Sequence, residues 1–405
     1  MKILTITDDC PPFALGGSGR IAWETSMGLA KRGHEVHLLT AAQRHIGVSR
    51  RINSPANMQI HLLPELPKRF AHYRSVFSRK REEEVLRVIE EVQPDLIHAH
   101  GLAWHMGYRW IKKAQEKSIP IIYTAHGVMH VSYGKVLPGG KVSWAADLRR
   151  SRWEWNPLRN ILTKKYLKHC KKILCVSDAL RQYLEQWHFE NMQTLRNGID
   201  LSFWKEMNQK EARVSLGIPE DQMVFLLAGR LGVDKGSEII DRTLPEGTLL
   251  LAAGDIPEGT FSRCHTEHSR SVSQTFPALP HVRIFPHQNP EQMRLLYSAA
   301  NVVLIPSLYL DPFPTVTLEA GACSRPVIAT IFGGAKEAVR DGITGWIVNP
   351  RDEHAFREKL EWCAEHRMEL PQFGLAARTH MEKHFSLEKH LDELLQIYAT
   401  APGVP

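Results

Sequence analysis

VFLLAGRLGVDKG, residues 224–236, decides the reading of the fold. Val224–Ala228 is an unbroken apolar run of strand length that passes straight into a loop bracketed by Gly229 and Gly236. Such continuous apolar strands belong to parallel sheets covered on both faces. Upstream, the same rhythm has already run once. Lys2–Thr7 (KILTIT), Val36–Thr40 (VHLLT), Asp95–His98 (DLIH), Ile119–Tyr123 (IPIIY) and Ile173–Val176 (ILCV) read as strands. Helix-length segments separate them, beginning with Ser18–Arg32, for which Gly33 suits the C-cap. After Gly198 the rhythm restarts, with Val224–Ala228, Thr248–Ala252, Val282–Phe285, Val302–Ile305 and Val327–Ala329 as strands. Seen twice in 405 residues, the pattern predicts an α/β protein of two Rossmann-like, doubly wound parallel-sheet domains. Ligands of such sheets sit outside the carboxyl ends of the strands, so the loops after strands carry the chemistry.

Composition narrows the class. Hydrophobic residues make up 43% and charged residues 23%, the usage of an ordinary globular protein rather than a disordered one. The six cysteines form no CxxC pair, which argues against zinc binding and against a disulfide framework. The start MKILTITDD meets two aspartates too soon for a signal peptide, and no run approaches the ~20 apolar residues of a membrane span. A cytoplasmic protein is expected, with peripheral contact at the inner face of the membrane left open. The net charge of +7 suits an anionic partner and equally suits simple solubility.

Two segments interrupt the rhythm. Asp255–Pro280 is rich in serine and histidine without apolar period and reads as a surface insertion. Lys141–Lys172 carries ten basic residues against two acidic ones, with Trp144, Trp153, Trp155 and Tyr166 interleaved. That mixture suits an anionic membrane surface, and equally a solvated helix face with core tryptophans. No nucleic-acid module accompanies the charge.

The chemistry concentrates at strand ends. Arg230 and Lys235 lie five apart between Gly229 and Gly236, a fork and a point charge placed to clamp a diphosphate. Further on, IPSLYLDPFPTVTLEAGACSRPVIATIFGGAKEAV (305–339) leaves a strand, passes Asp311 and enters a helix predicted to start at Pro314. Thr315 and Val316 would turn free N–H groups and the positive end of the helix dipole toward a phosphate. Glu319 lies about 7–8 Å further along the axis. The two carboxylates flank an anion site, Glu319 suited to ribose hydroxyls and Asp311 to sugar hydroxyls. Gly333, Gly334 and Glu337 close the next strand. In the first half, Gly16, Gly17 and Gly19 open a helix, where glycines permit close backbone approach to an anion or simply make a turn. His126, ending a strand in TAHG, and His98 and His100 in HAHG are either structural or part of a polar cleft.

In this order the motifs resemble glycosyltransferase family 4, the retaining transferases of the GT-B fold whose two domains face a central cleft. The resemblance runs over nearly the whole chain: the glycine loop, GLAKRGHEVHLLT, PDLIHAHG, TAHG, RNGID, GR…KG, the acidic pair, GG…E and the closing FSLEKHLDELLQIY. It implies an N-terminal acceptor domain over 1–200, joined by a terminal helix over 384–405, and a nucleotide-sugar domain over 201–383. The implied activity is metal-independent transfer of a sugar from a UDP-, GDP- or ADP-sugar to an acceptor hydroxyl. No cofactor is required, and the setting is glycoconjugate or cell-surface polysaccharide synthesis. By the same resemblance, Arg230 and Lys235 clamp the diphosphate, Glu319 holds the ribose, and His126 lies against the donor sugar. Gly16 and Gly17 supply a loop amide to the donor phosphate. Pro314, Thr315 and Val316 form the helix start, and Asp311 takes the first acidic position. His100, Gly127, Asn197 and Glu337 line the acceptor side or the cleft.

Two departures mark this chain. Asp311 stands where the family usually has glutamate, and Pro314 where it usually has glycine. A nucleotide-sugar epimerase or hydrolase and a non-catalytic family member are the rival readings. The acceptor, a carbohydrate or a lipid-linked one, would meet the N-terminal domain near the basic, tryptophan-bearing segment.

Overall fold

Apolar, β-branched strands placed between helices build two parallel sheets, one in each of two units. The computed structural model describes residues 1–13, 16–42, 54–67, 69–133, 136, 148–149, 155–229, 232–254, 281–286 and 288–403. Arg230, the Asp255–Pro280 segment and most of 141–154 lie outside the described residues. One unit comprises Met1–Gly198 with Leu387–Pro405, the other Ile199–Ser386.

The first unit contains β1 (Lys2–Thr7), β2 (Glu35–Ala42), β3 (Met58–Pro64), β4 (Leu96–His100), β5 (Ile121–Ala125), β6 (Lys172–Cys175) and β7 (Met192–Thr194). Among the described residues they form one parallel sheet in the order β3-β2-β1-β4-β5-β6-β7. The second contains β8 (Val224–Ala228), β9 (Leu249–Ala253), β10 (Val282–Phe285), β11 (Val302–Ile305), β12 (Val327–Thr330) and β13 (Gly345–Val348). Their order, β10-β9-β8-β11-β12-β13, repeats the pattern. In each sheet the winding reverses beside the first strand, between β1 and β4 and between β8 and β11. The loops that diverge there open a crevice at the carboxyl ends.

The strands unforeseen in the sequence are β3, β7 and β13, and each is a sheet edge. An edge strand has one neighbour and is less buried, so MQIHLLP and MQT lack the unbroken apolar run of a central strand. Boundaries also move. β4 extends through His100, and β5 ends at Ala125, so His126 is the first residue beyond it.

Between and after these strands run the helices, among them α1 (Gly17–Lys31), α2 (Ala71–Phe77), α3 (Pro157–Leu167), α4 (Ser237–Thr243), α5 (Pro290–Ala299), α6 (Thr315–Ala322) and α7 (Leu387–Thr400). The last belongs to the first unit. Leu391, Leu394, Ile397 and Tyr398 on α7 join Ile3, Leu29, Val36 and Leu96 in one buried cluster. A Cβ on Gly28 of α1 would stand 2.4 Å from Leu391 Cδ1, so with any side chain at residue 28 the end of Leu391 would have to shift. Arg32 then pairs with Asp392 at 2.7 Å along the rim of this contact.

Candidate functional site

In the second unit, a single 3-10 turn, Val233–Lys235, carries the loop after β8 into α4. Asp234 O accepts the N–H of Leu308 at 2.9 Å, which joins this loop to the one after β11 across the crevice. The Lys235 ammonium is ion-paired with Asp311 Oδ2 and stands 5.0 Å from the ring centroid of Tyr309. The Tyr309 hydroxyl donates to that same Asp311 oxygen at 3.2 Å. Burial pulls the Lys235 pKa down, but attraction to Asp311, reinforced by Tyr309, outweighs it and leaves the pKa raised. The cation is therefore charged throughout the physiological range. From the other side, the Asp311 carbonyl accepts the N–H of Gly334 at 2.8 Å. A Cβ on Gly333, at φ 72°, would lie 2.2 Å from that carbonyl, so the contact requires glycine.

Helix α6 begins at Thr315, one residue later than expected, with Pro314 as its N-cap at φ −66° and ψ 124°. Among the described residues no side chain caps it, and its first turn holds no acidic residue. The positive end of its dipole is thus left to be met from outside the helix. Thr315 and Val316 are half-buried in that first turn, while Thr317 Oγ1 is buried with no hydrogen-bond partner among the described residues. Glu319, one turn on, is only 6% exposed, and its Oε2 accepts the hydroxyl of Tyr297 on α5 at 2.8 Å. Glu337 ends the 3-10 turn Ala335–Glu337 and is half-buried. Lys235, Asp311 and the Gly333–Gly334 pair thus come together, with the start of α6 following directly from the Asp311 loop.

In the first unit, α1 starts at Gly17 with Gly16 as N-cap. A Cβ on Gly19 would fall 2.2 Å from the Asp9 carbonyl, so close packing on the residues after β1 is reason enough for a glycine there. Asp8 is 4% exposed and accepts N–H groups from Trp104 (2.7 Å), His105 (2.8 Å) and Met106 (2.7 Å), tying the end of β1 to the loop after β4. Burial pushes its carboxyl up to about 7, opposed by those three donors.

A row of histidines crosses this sheet. Tyr398 on α7 meets His98 Nδ1 at 2.6 Å, and His98 Nε2 meets Thr124 Oγ1 at 2.7 Å. The His98 and His100 rings lie 4.0 Å apart, and His100 Nδ1 meets His126 Nε2 at 2.9 Å. Burial holds His98 and His126 down at about 3 and His100 well below the usual imidazole range, so all three are neutral at pH 7. His100 is 2% exposed and has no open face toward a ligand, whereas His126 and Gly127 are half-buried. Asn197, at the end of the unit's first segment, is buried, and its Oδ1 has no partner among the described residues.

Comparison with known proteins decides the class. Residues 15–203 match the model of Glycosyltransferase Family 4, and residues 208–380 that of glycosyl transferases group 1. The chain belongs to this glycosyltransferase family. A D-inositol 3-phosphate glycosyltransferase of Mycolicibacterium paratuberculosis is 25% identical over 375 residues, spanning 85% of this chain and 76% of the relative. The Mycobacterium avium counterpart is 26% identical over 368 residues, spanning 85% and 80%. Among solved structures, a sucrose-phosphate synthase of Thermosynechococcus elongatus superposes with a TM-score of 0.79 at 20% identity, covering 98% of each chain. Anabaena HepE in complex with UDP-glucose superposes with a TM-score of 0.72 at 16% identity, covering 99% of this chain and 100% of its own. The fold of this family-4 transferase is GT-B.

For a family-4 chain, the motif reading overlooked four residues. Tyr309 and Tyr297 are the hydroxyl partners of Asp311 and Glu319, and no spacing in the sequence points to them. Asp8 and Asp9 had a usable signal, two acids at the carboxyl end of a central strand, beside the point where the winding reverses.

Proposed function

We propose that this transferase moves a sugar from a nucleoside diphosphate sugar to the hydroxyl of a carbohydrate or lipid-linked acceptor, with retention at the anomeric carbon and without a metal ion. The observation that carries the reading is the Lys235 ammonium, held by Asp311 and Tyr309 in the crevice between β8 and β11, with the uncapped start of α6 following from the Asp311 loop. A fixed cation and a helix N-terminus are what a departing diphosphate requires, since its charge grows as the glycosidic bond breaks. Arg230, five residues before Lys235 in the sequence, would add a planar fork. Glu319, oriented by Tyr297, would accept from ribose hydroxyls, and His126 and the loop amide at Gly17 would face the donor sugar and its phosphate. In the proposed mechanism the leaving diphosphate takes the proton of the attacking hydroxyl on the same face, so no protein nucleophile is needed.

Asp311 bears on donor choice. Its carboxylate already accepts from Lys235 and Tyr309, and it is one methylene shorter than the usual glutamate. A sugar hydroxyl would then be reached through water or through the Gly333–Gly334 loop. The test is a melting screen with UDP-, GDP- and ADP-sugars, followed by product analysis. One nucleotide class should raise the melting temperature in a saturable way, and the glycosylated product should keep the donor's anomeric configuration. An inverted product overturns the retaining mechanism. Free or epimerised sugar with no glycoside overturns transfer, and no nucleotide response from any donor marks a non-catalytic chain.

The acceptor reading extends to the membrane surface. Leu158 and Ile161 on α3 are 55% and 54% exposed beside Lys164, Lys165 and Lys168. Helix α3 packs against α2, where Tyr73 is exposed and Arg79 and Lys80 follow. Apolar side chains among cations favour an anionic interface. Among the described residues, no helix is long and apolar enough to cross a membrane. Flotation with vesicles containing phosphatidylglycerol should carry the protein upward at low salt and release it at high salt. Failure to float removes the membrane from the proposal.

A further inference from the structure

The histidine row has a direction, set by its buried end. Burial raises the Tyr398 pKa well above the usual phenol range, so its O–H keeps its proton. Among the described residues His98 Nδ1 is the one hydrogen-bond partner of that buried hydroxyl, so the O–H is satisfied only if Tyr398 donates, which makes Nδ1 the bare nitrogen. His98 therefore carries its proton on Nε2 and donates to Thr124 Oγ1. One step along β4 and β5, at the same diagonal offset, His100 meets His126.

Here the two tautomer arrangements differ sharply in cost. If His126 Nε2–H donated, His100 would carry its proton on Nε2, which is buried and has no partner among the described residues. A buried orphan N–H is rare and costly, and an under-satisfied acceptor is better tolerated. If His100 Nδ1–H donates instead, its orphan Nε2 is only a bare lone pair. His126 must then carry its proton on Nδ1. No three His, Cys, Asp or Glu side chains among the described residues are placed to hold a metal ion, so hydrogen bonding accounts for the row.

We propose that His100 is a positioning residue that donates from Nδ1 to His126 Nε2 and so holds His126 in its less common Nδ1–H form. The half-buried His126 ring then carries its N–H at Nδ1 and has no bare nitrogen left over. Its basic nitrogen is occupied, so His126 hydrogen-bonds a donor-sugar oxygen and cannot take the proton of the acceptor hydroxyl. The catalytic consequence rests on the proposed transfer reaction; the tautomer does not.

The test is a long-range proton–nitrogen spectrum of full-length protein labelled with 15N-histidine at pH 7, with His126 assigned by its loss in His126→Gln. A protonated Nδ1 and bare Nε2 on His126 are expected. A protonated Nε2 overturns the proposal, whatever the activity. His100→Asn places an amide N–H near the position of Nδ1 and should preserve the His126 signature. His100→Leu should release His126 to the Nε2–H form and lower kcat about tenfold with little change in donor KM, the loss of one oriented hydrogen bond. Should the leucine variant not fold, the wild-type spectrum alone decides. Wild-type protein with the Nδ1–H signature and no transferase activity overturns the function and leaves the tautomer standing.

Discussion

Replacing Lys235 by alanine is expected to lower kcat/KM for transfer by about 100- to 1,000-fold, the usual cost of removing one preorganised group that meets developing charge. The effect should lie mainly in kcat, because the diphosphate is more negative in the transition state than in the bound donor. The variant should also be less stable by about 3 kcal/mol, since Asp311, 9% exposed at its side chain, loses its cation and stays buried. The two effects separate in the double variant Lys235→Ala, Asp311→Ala. Removing the stranded carboxylate should restore most of the melting temperature while activity stays low. If Lys235→Ala retains wild-type turnover, the proposed diphosphate site is wrong. If the double variant is no more stable than Lys235→Ala, Asp311 is not the partner that matters.

The second large effect is acid unfolding of the first unit. His98 and His130 are held at about 3 and His72 at about 4, each by burial, against an ordinary value of 6.5. Between those limits the unfolded chain binds protons that the folded chain does not, so stability falls as pH falls. Each such histidine contributes about 1.4 kcal/mol per pH unit. Asp8 acts in the opposite sense. Its folded value of about 7 lies above its ordinary 3.8, so falling pH returns about as much as one histidine removes. With His100 also held neutral, the balance remains several histidines in favour of unfolding. Against a total of about 5–15 kcal/mol, loss of the first unit is expected by about pH 5. In the second unit His380, lowered to about 4 by burial, titrates in the same direction and should give a shallower slope. Tryptophan fluorescence and near-ultraviolet dichroism from pH 7 to 4 would check this. A melting temperature that holds constant down to pH 5 would refute it.

The central strands were legible because burial on both faces forces a continuous apolar run; KILTIT and VFLLA could be little else. Of the edges only β10 was; β3 and β7 have a strand on one side only, and their polar residues are tolerated there. The site divides along a similar line. Lys235, Asp311 and Glu319 announce themselves as charges at strand and helix ends. Their partners Tyr309 and Tyr297 are aromatic residues in an apolar context, where a hydroxyl in use reads the same as a ring filling space. His100 was legible as a strand-end histidine, but its burial was not, since two more residues of β4 carry it inside the sheet.

The terminal helix α7 also constrains how the chain is made. Its buried cluster with β1, β2 and β4 is completed by residues 387–403, so the unit that leaves the ribosome first is the last to gain its full core. The second unit, contiguous in sequence, has all its residues some twenty positions earlier. During synthesis it can finish folding while the first still lacks a wall. A stop codon near residue 386 should therefore leave a folded C-terminal unit attached to an unstable N-terminal one, exposed to proteases at the opposite end of the chain from the lesion.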